Sequence, residues 1–180
     1  MSRLQVDEIV NADGNGAPFF PFGVTPALFW PSVYVASDAE LIAAITTLTG
    51  VGGIICAYTS FNITAPITLP TDVVLMGRGY GTSLGLNSPS GALTLASMSQ
   101  LRDIRITTNR TAATLVNLSN TFGVIERVSF MVTANTGITC VAATGTSNRI
   151  LTTRFQTITG SNVAINNTGL DTQTLYNLIG

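Results

Sequence analysis

Two carboxylates and two arginines are the residues of this sequence whose types and spacing could do chemistry. Asp103 and Glu126 lie 23 residues apart, with Arg105 and Arg127 close to them in the chain. Glycoside hydrolysis uses two carboxyl groups ~5 to 9.5 Å apart, and a polysaccharide lyase needs a base beside a cation or a metal. Both reactions become conceivable if the chain repeats at about this interval and stacks the four side chains on neighbouring turns.

The same residues have a simpler interpretation, which we favour. On stacked strands, opposite charges one repeat apart form a ladder of surface ion pairs. The candidate pairs are Asp103 with Arg127, and Glu126 with Arg105 or Arg149. The chain also contains no His, the commonest general base and metal ligand. We therefore expect no enzymatic activity, no metal and no cofactor.

A sequence repeat would bring these charged residues together. Apolar clusters return about every two dozen residues, and the intervals between them are rich in Gly, Asn, Ser and Thr. One series comprises Leu93 and Leu95, Leu115 and Leu118, Ile138 and Val141, and Val163 and Ile165. A second series comprises Ile104 and Ile106, Val128 and Phe130, Phe155, and Leu175 with Leu178.

Two interleaved series with one period predict a stacked repeat. Each cluster has the spacing of a strand, so the prediction is an all-β fold, a short parallel β-helix (β-solenoid). Each turn contributes two or three strands, and four or five turns stack ~4.8 Å apart. An antiparallel sandwich is the alternative. The scarcity of hairpin dipeptides counts against it.

One helix is predicted before the repeat. Ser37 and Glu40 form a capping box, and Gly50 stands where the helix should end. The apolar face is expected to comprise Leu41, Ile42, Ile45 and Leu48. Because an uncovered solenoid end exposes core side chains and strand edges, we expect this helix to cap it.

Composition excludes several classes of partner. The chain is 46% hydrophobic and 9% charged, with a net charge of −1 and eight Arg that form no basic run, so no nucleic acid is expected. No signal peptide and no apolar stretch of membrane-spanning length are recognised, so we expect synthesis in a cytoplasm and no membrane partner. Cys56 and Cys140 are expected to be small apolar residues in or near the core, not a disulfide.

The residues before the helix divide into an extended arm, 1–24, and a linker, 25–36, while 37–180 hold the helix and the β-helix. In the linker, Pro26 and Pro31 block a helix. In the arm, the turn cluster Asn11–Gly16 precedes a stiff apolar segment, residues 18–23, with two prolines and three phenylalanines. Such a segment must pack against the solenoid or against another protein.

Residues 6–23, VDEIVNADGNGAPFFPFG, resemble the N-terminal segment of many tailed-bacteriophage tail fibres, tailspikes and related virion appendages. There, a VDxIxNxDGxGxPxFPxG stretch precedes quite different distal domains, which implies that the stretch joins the appendage to the particle. The matching positions are the implied virion-attachment residues: Val6, Asp7, Ile9, Asn11, Asp13, Gly14, Gly16, Pro18, Phe20 and Gly23. Phe19 and Phe22 add bulk that the pattern does not require.

The stretch after the helix, with Ile-Thr-Leu-Pro at 67–70 and Val-Val-Leu-Met-Gly-Arg-Gly at 73–79, resembles the opening coils of pectate-lyase-like β-helices. That resemblance implies a right-handed coil. The glycine-rich segment 77–81 lacks the Lys-Ser/Thr of a phosphate-binding loop, and we interpret it as a corner between coils.

Together the resemblances imply a bacteriophage structural protein of the virion tail, a tail fibre or tailspike-like appendage that contributes to host attachment. Its expected partners are two further copies in a homotrimer, a tail adaptor, nozzle or other virion protein, and host surface polysaccharide as a candidate ligand. Uncharged, Thr-rich faces suit packing about a threefold axis, and the apolar segment 175–179 is expected to be covered by another subunit or protein. The alternatives are a capsid decoration or head-fibre protein and a small polysaccharide-degrading tailspike.

Overall fold

The computed structural model describes residues 30–88, 91–133, 136–156, 160–175 and 177–179. The chain divides into two units, with the boundary between Trp30 and Pro31. The fold described here is that of the second unit. The predicted arm, 1–24, lies outside the described residues.

Three parallel sheets form the β-helix. Sheet A contains β1 (Ser32–Val35), β2 (Gly53–Ala57), β5 (Val73–Met76), β8 (Gln100–Arg102), β11 (Val124–Glu126), β14 (Arg149–Leu151) and β17 (Gln173–Leu175). Sheet B contains β3 (Phe61–Asn62), β6 (Ser83–Gly85), β9 (Arg105–Thr108), β12 (Ser129–Val132), β15 (Arg154–Gln156) and β18 (Leu178–Ile179). Sheet C contains β4 (Pro66–Leu69), β7 (Ala92–Leu95), β10 (Ala113–Leu118), β13 (Ile138–Ala143) and β16 (Val163–Asn167).

Successive strands of the chain go to different sheets, and each strand pairs in parallel with the equivalent strand one turn away. The predicted parallel β-helix is confirmed, with about six turns in place of the four or five expected. Every complete turn contributes three strands. The right-handed sense of the coil stays a prediction.

Inward-facing apolar residues form one continuous core. The first predicted series lies in sheet C and the second in sheet B. One stacked row in sheet C comprises Leu69, Leu95, Leu118 and Ala143, and one in sheet B comprises Leu84, Ile106, Phe130 and Phe155. All eight residues are fully buried. Three members of the series behave differently. Leu175 belongs to β17 of sheet A. Val163 and Leu178 lie in outward rows, with 41% and 59% of their surface exposed.

The capping helix α1 spans Asp38–Leu48. The Ser37 hydroxyl accepts a hydrogen bond from the Glu40 N–H at 3.3 Å, and the Glu40 carboxylate accepts one from the Ala36 N–H at 2.6 Å. The predicted capping box therefore forms, with its return bond one residue earlier than expected. The buried face comprises Leu41, Ala44 and Leu48. Ile42, predicted to lie on that face, is 45% exposed.

Four residues of the predicted linker, 25–36, belong to the β-helix. These residues form β1, which pairs with β2 from Ser32–Ile54 to Val35–Ala57. Pro31 blocks a helix but directly precedes the strand, a position that proline tolerates. In the first turn, helix α1 follows β1 and takes the place of the sheet B and sheet C strands that later turns contain. Its apolar face packs on the core and closes this end of the β-helix.

Sharp corners border sheet A on both sides. We call the residues just before its strands the leading corner (Val51, Asp72, Met98, Phe122, Ser147, Leu170 and Asp171) and those just after its strands the trailing corner (Tyr58, Arg78, Tyr80, Asp103, Arg127 and Thr152). Eight of these residues have φ between 49 and 60°: Asp72, Met98, Phe122, Ser147, Asp171, Asp103, Arg127 and Thr152. The left-handed conformation recurs at the leading corner of five turns and at the trailing corner of three, and it bends the chain between neighbouring sheets.

Candidate functional site

The four charged side chains around Asp103 and Glu126 meet at the trailing corner. Strands β8 and β11 pair in a register that places Arg102 beside Glu126. The next residue of each turn, Asp103 or Arg127, has a positive φ and turns its side chain along the stacking direction. Arg127 then donates two hydrogen bonds to the Asp103 carboxylate, Nε to Oδ1 at 2.6 Å and Nη2 to Oδ2 at 2.7 Å.

Glu126 joins the same cluster. One of its oxygens accepts a hydrogen bond from Arg127 Nη1 at 2.5 Å, and the other lies 3.3 Å from Arg102 Nε. The predicted pair of Asp103 with Arg127 is confirmed. The predicted partners of Glu126 are wrong, because Arg105 lies on sheet B and Arg149 lies in the other outward row of sheet A, beside Val124.

The electrostatics favour an ionised Asp103 carboxylate. The hydrogen bonds from Arg127, assisted by the positive charges of Arg127 and Arg102 and opposed by partial burial, hold the pKa of Asp103 below its ordinary value. The same contacts raise the pKa of Arg127, which stays charged. A general acid needs the opposite shift, a carboxyl whose pKa is raised towards neutrality. The cluster has the chemistry of an ion-pair ladder.

We expect the substitution Asp103→Asn to lower the free energy of unfolding by about 0.5–1 kcal/mol at pH 7, because the pair is partly exposed to solvent. Asparagine tolerates the left-handed conformation of this position, so the change isolates the charge. The folded-state pKa of Asp103 is lowered, so its contribution is present above the unfolded pKa of about 4 and is lost as pH falls through the folded value.

The measurement is urea unfolding of the wild-type protein and of Asp103→Asn, each at pH 7 and near pH 2. Asp171→Asn, also at a left-handed corner position but without an ion pair among the described residues, is the matched control. A difference between wild type and Asp103→Asn that stays constant across this pH range would contradict the assignment.

The remaining candidates lie elsewhere. Asp72 and Asp171 stand at the leading corner, on the other side of sheet A from Asp103. The glycine-rich segment forms a short 3₁₀ turn, Gly79–Gly81, at a corner as expected. All of the implied attachment residues lie outside the described part of the chain: Val6, Asp7, Ile9, Asn11, Asp13, Gly14, Gly16, Pro18, Phe20 and Gly23.

Both cysteines are free thiols. Cys140 lies in the core, where burial raises the pKa of its thiol to about 12. Cys56 is half-buried on the outward face of sheet A. Within the described residues no cluster of three potential metal ligands occurs, and no helix there has the length and apolar character to span a membrane.

Sequence reasoning missed a pair of grooves on sheet A and its corners. One, of about 640 Å³, is lined by Tyr34, Cys56, Tyr58, Met76, Gly77 and Arg78. The other, of about 410 Å³, is lined by Phe122, Val124, Ser147, Arg149, Asp171 and Gln173. The signal that could have revealed this face is the absence of alternation in the strands GIICA and VVLM, which are apolar at inward and outward positions alike.

Comparison with known proteins adds no relative. No family model matches the sequence, and neither a curated protein nor a solved structure matches the chain.

Proposed function

We propose that this chain is a structural protein of a tailed-bacteriophage virion, a tail fibre or tailspike-like appendage that contributes to host attachment. The observation that carries the proposal is the order of two features. A segment resembling a virion-attachment arm, residues 6–23, precedes a rigid parallel β-helix closed by helix α1. In this proposal the arm binds a tail adaptor, a nozzle or another virion protein, and the β-helix projects from the tail.

The geometry of the carboxylates supports a non-enzymatic role. Asp103 and Glu126 both accept hydrogen bonds from Arg127, and the pKa of Asp103 is lowered. A small polysaccharide-degrading tailspike, the second alternative, would have to free these groups from the arginine before either could act as an acid or a nucleophile. The first alternative is a capsid decoration or head-fibre protein that uses the same kind of arm.

The proposed assembly is a homotrimer, with host surface polysaccharide as a candidate ligand. Closed threefold symmetry lets identical β-helices cover one another without growing indefinitely. The seven arginines of residues 78–154 are spread over sheets and corners without a basic run, which argues against a nucleic-acid partner.

Removing residues 1–24 is expected to abolish incorporation into particles while leaving the β-helix folded. The measurement is the copy number per purified particle of the encoding phage, by quantitative mass spectrometry against the major capsid protein. The intact chain should be present in on the order of a few tens of copies, as trimers around a sixfold or twelvefold tail require. Several hundred copies would place the protein on the capsid, and incorporation of the shortened chain would refute attachment through the arm.

The double substitution Asp103→Asn with Glu126→Gln is the matched control for the enzymatic alternative. It should be incorporated normally and should leave the infectivity of the particles unchanged. Release of oligosaccharides from host envelope by the wild-type chain, lost in the double variant, would establish catalysis instead.

A further inference from the structure

We propose that sheet A, together with its leading and trailing corners, is the surface through which each subunit packs against a second copy of this chain. This inference rests on the homotrimer of the proposed function and names its interface. The first observation is that sheet A is apolar on both faces. Eight of its fourteen outward positions carry apolar side chains: Tyr34, Ile54, Cys56, Val74, Met76, Val124, Leu151 and Leu175.

Sheets B and C follow the ordinary pattern, apolar inside and polar outside. The outward positions of β9 and β12 are Arg105, Thr107, Ser129 and Met131. Those of β7, β10 and β13 include Thr94, Asn117 and Ala142. Strands that are apolar on both faces are typical of sheets covered on both sides. Sheet A is covered on one side by the core, so its other side is the one that lacks a cover among the described residues.

Exposed apolar side chains concentrate on the same surface. Of the thirteen large apolar residues that are exposed within the described part of the chain, eight lie on sheet A or its corners: Tyr34, Val51, Tyr58, Tyr80, Met98, Phe122, Leu170 and Leu175. Phe122 is 58% exposed although its left-handed backbone conformation disfavours a bulky residue. Aromatic residues and Met are also the types enriched in protein interfaces.

The two corners of sheet A are complementary to each other, which selects a second copy as the partner. Rotation about a threefold axis parallel to the stacking direction keeps every turn at its own height, so a trailing corner meets the leading corner of the same turn in the next copy. The rule also brings Asp103 to Met98 and Thr152 to Ser147. The three junctions that favour association are Tyr58 with Val51, Arg78 with Asp72, and Arg127 with Phe122. These are an apolar pair, an ion pair and a cation–aromatic pair.

The charges of Arg78 and Asp72 at this junction are unused within the described part of the chain, whereas Arg127 already pairs with Asp103 and Glu126. Arg78 is exposed, and neither Arg78 nor Asp72 forms an ion pair among the described residues. Seven strands ~4.8 Å apart and a width of about six residues give sheet A a flat projection on the order of 600 Å². In a trimer this area is divided between two neighbours, so each contact lies below the ~800 Å² per partner of a standard interface, and three such contacts together close the assembly.

Sheet C is the competing face, because none of its strands contains a charged residue. Its outward positions, however, are mostly Thr, Asn and Ala, which water solvates well, and its only exposed large apolar residue is Val163. Depletion of charge without aromatic or other large apolar anchors gives little binding energy. Sheet A supplies both exposed large apolar side chains and complementary leading and trailing corners.

The test is a charge swap across the proposed junction, read by light scattering coupled to gel filtration over a range of concentrations of the full chain. Wild type should be trimeric. Arg78→Glu and Asp72→Arg should each weaken the trimer at least about tenfold, and the double variant should regain most of the loss. Arginine is tolerated at the left-handed corner position because Arg127 already adopts that conformation.

Two variants on the other faces are controls. Arg154→Glu on sheet B and Thr94→Arg on sheet C should leave the trimer unchanged. If Thr94→Arg dissociates the trimer and the charge swap does not, the interface lies on sheet C and the inference is wrong, while the homotrimer stands. A wild-type chain that stays monomeric at every concentration would overturn both.

Cys56 gives an independent readout, because it lies on the outward face of sheet A between Tyr34 and Met76. Its reaction with a thiol reagent should be slow in the wild-type trimer and faster in Arg78→Glu, with Cys140 buried in the core of both. Equal Cys56 rates in a wild-type trimer and a monomeric Arg78→Glu variant would contradict burial of sheet A. A far-ultraviolet circular dichroism spectrum identical to wild type shows that the variants are folded.

Discussion

Replacing Phe130 by alanine is expected to lower the free energy of unfolding by about 3–5 kcal/mol. Phe130 is fully buried at the centre of the β-helix, and its ring stacks on that of Phe155 one turn away with 5.2 Å between the ring centroids. The substitution removes this stacking and leaves a cavity that the hydrogen-bonded coils above and below cannot close. Urea unfolding followed by circular dichroism, at one fixed protein concentration, measures the loss.

Met131→Ala is the matched control, since Met131 is the next residue of the same strand and 38% of its surface is exposed. It should change the free energy of unfolding by no more than about 0.5 kcal/mol. An equal loss in the free energy of unfolding for Phe130→Ala and Met131→Ala would contradict the assignment of Phe130 to the core and Met131 to the surface.

Two of the three sheets could be predicted from the sequence, and the reason lies in strand length. Strands of sheet C such as β10 and β13 have six residues and show several inward apolar side chains each. Later strands of sheet A have three residues with one inward side chain, Leu101, Ile125 or Ile150. A single apolar residue has no period, so this series stayed invisible.

The charged cluster was partly predictable for a related reason. Stacked positions lie 24 residues apart in Arg102 with Glu126 and in Asp103 with Arg127. The interval is 25 residues in Val124 with Arg149. A shift of one residue moves a side chain to the other face of a strand, so an approximate period finds the right turn but not always the right partner. The predicted contact of Glu126 with Arg149 assumed an interval of 23 residues and missed by two, because Leu151 lies beside Glu126 and Arg149 lies at the next outward position of the same strand.

The corners were only partly predictable, because three of the eight left-handed residues there are Asp and the other five are of types that disfavour this conformation. Met98, Phe122 and Arg127 have positive φ although none of them is Gly, Asn or Asp. Their conformation is imposed by the coils on either side, as when the Phe122 N–H donates to the Thr146 carbonyl at 3.1 Å. Stacking of backbone on backbone is a tertiary effect, and it overrides the local preference of the side chain.

Close backbone stacking also makes Gly145 sensitive to substitution, and we expect Gly145→Ala to lower the free energy of unfolding by about 3 kcal/mol. A Cβ at Gly145 would overlap the carbonyl oxygen of Asn120 and lie 2.7 and 2.8 Å from the carbon and nitrogen of that residue. These are backbone atoms of the turn below, held in a hydrogen-bonded stack, so they cannot rotate away as a side chain would. Gly169 packs on Gly145 in the same way one turn further, so the stack has no room on either side.

Gly81→Ala is the matched control, because Gly81 is exposed, has a negative φ, and leaves open space around a Cβ. Alanine there should be neutral or stabilise the protein by up to about 1 kcal/mol, since it restricts the unfolded chain. Thermal and urea unfolding of the two variants separate steric overlap from the general effect of replacing glycine. A loss at Gly145 no greater than that at Gly81 would mean that the turns lie further apart at this corner than the ~4.8 Å of paired strands. The close stacking of turns at Asn120, Gly145 and Gly169, which the rigid β-helix of the proposed trimer requires, would then be contradicted.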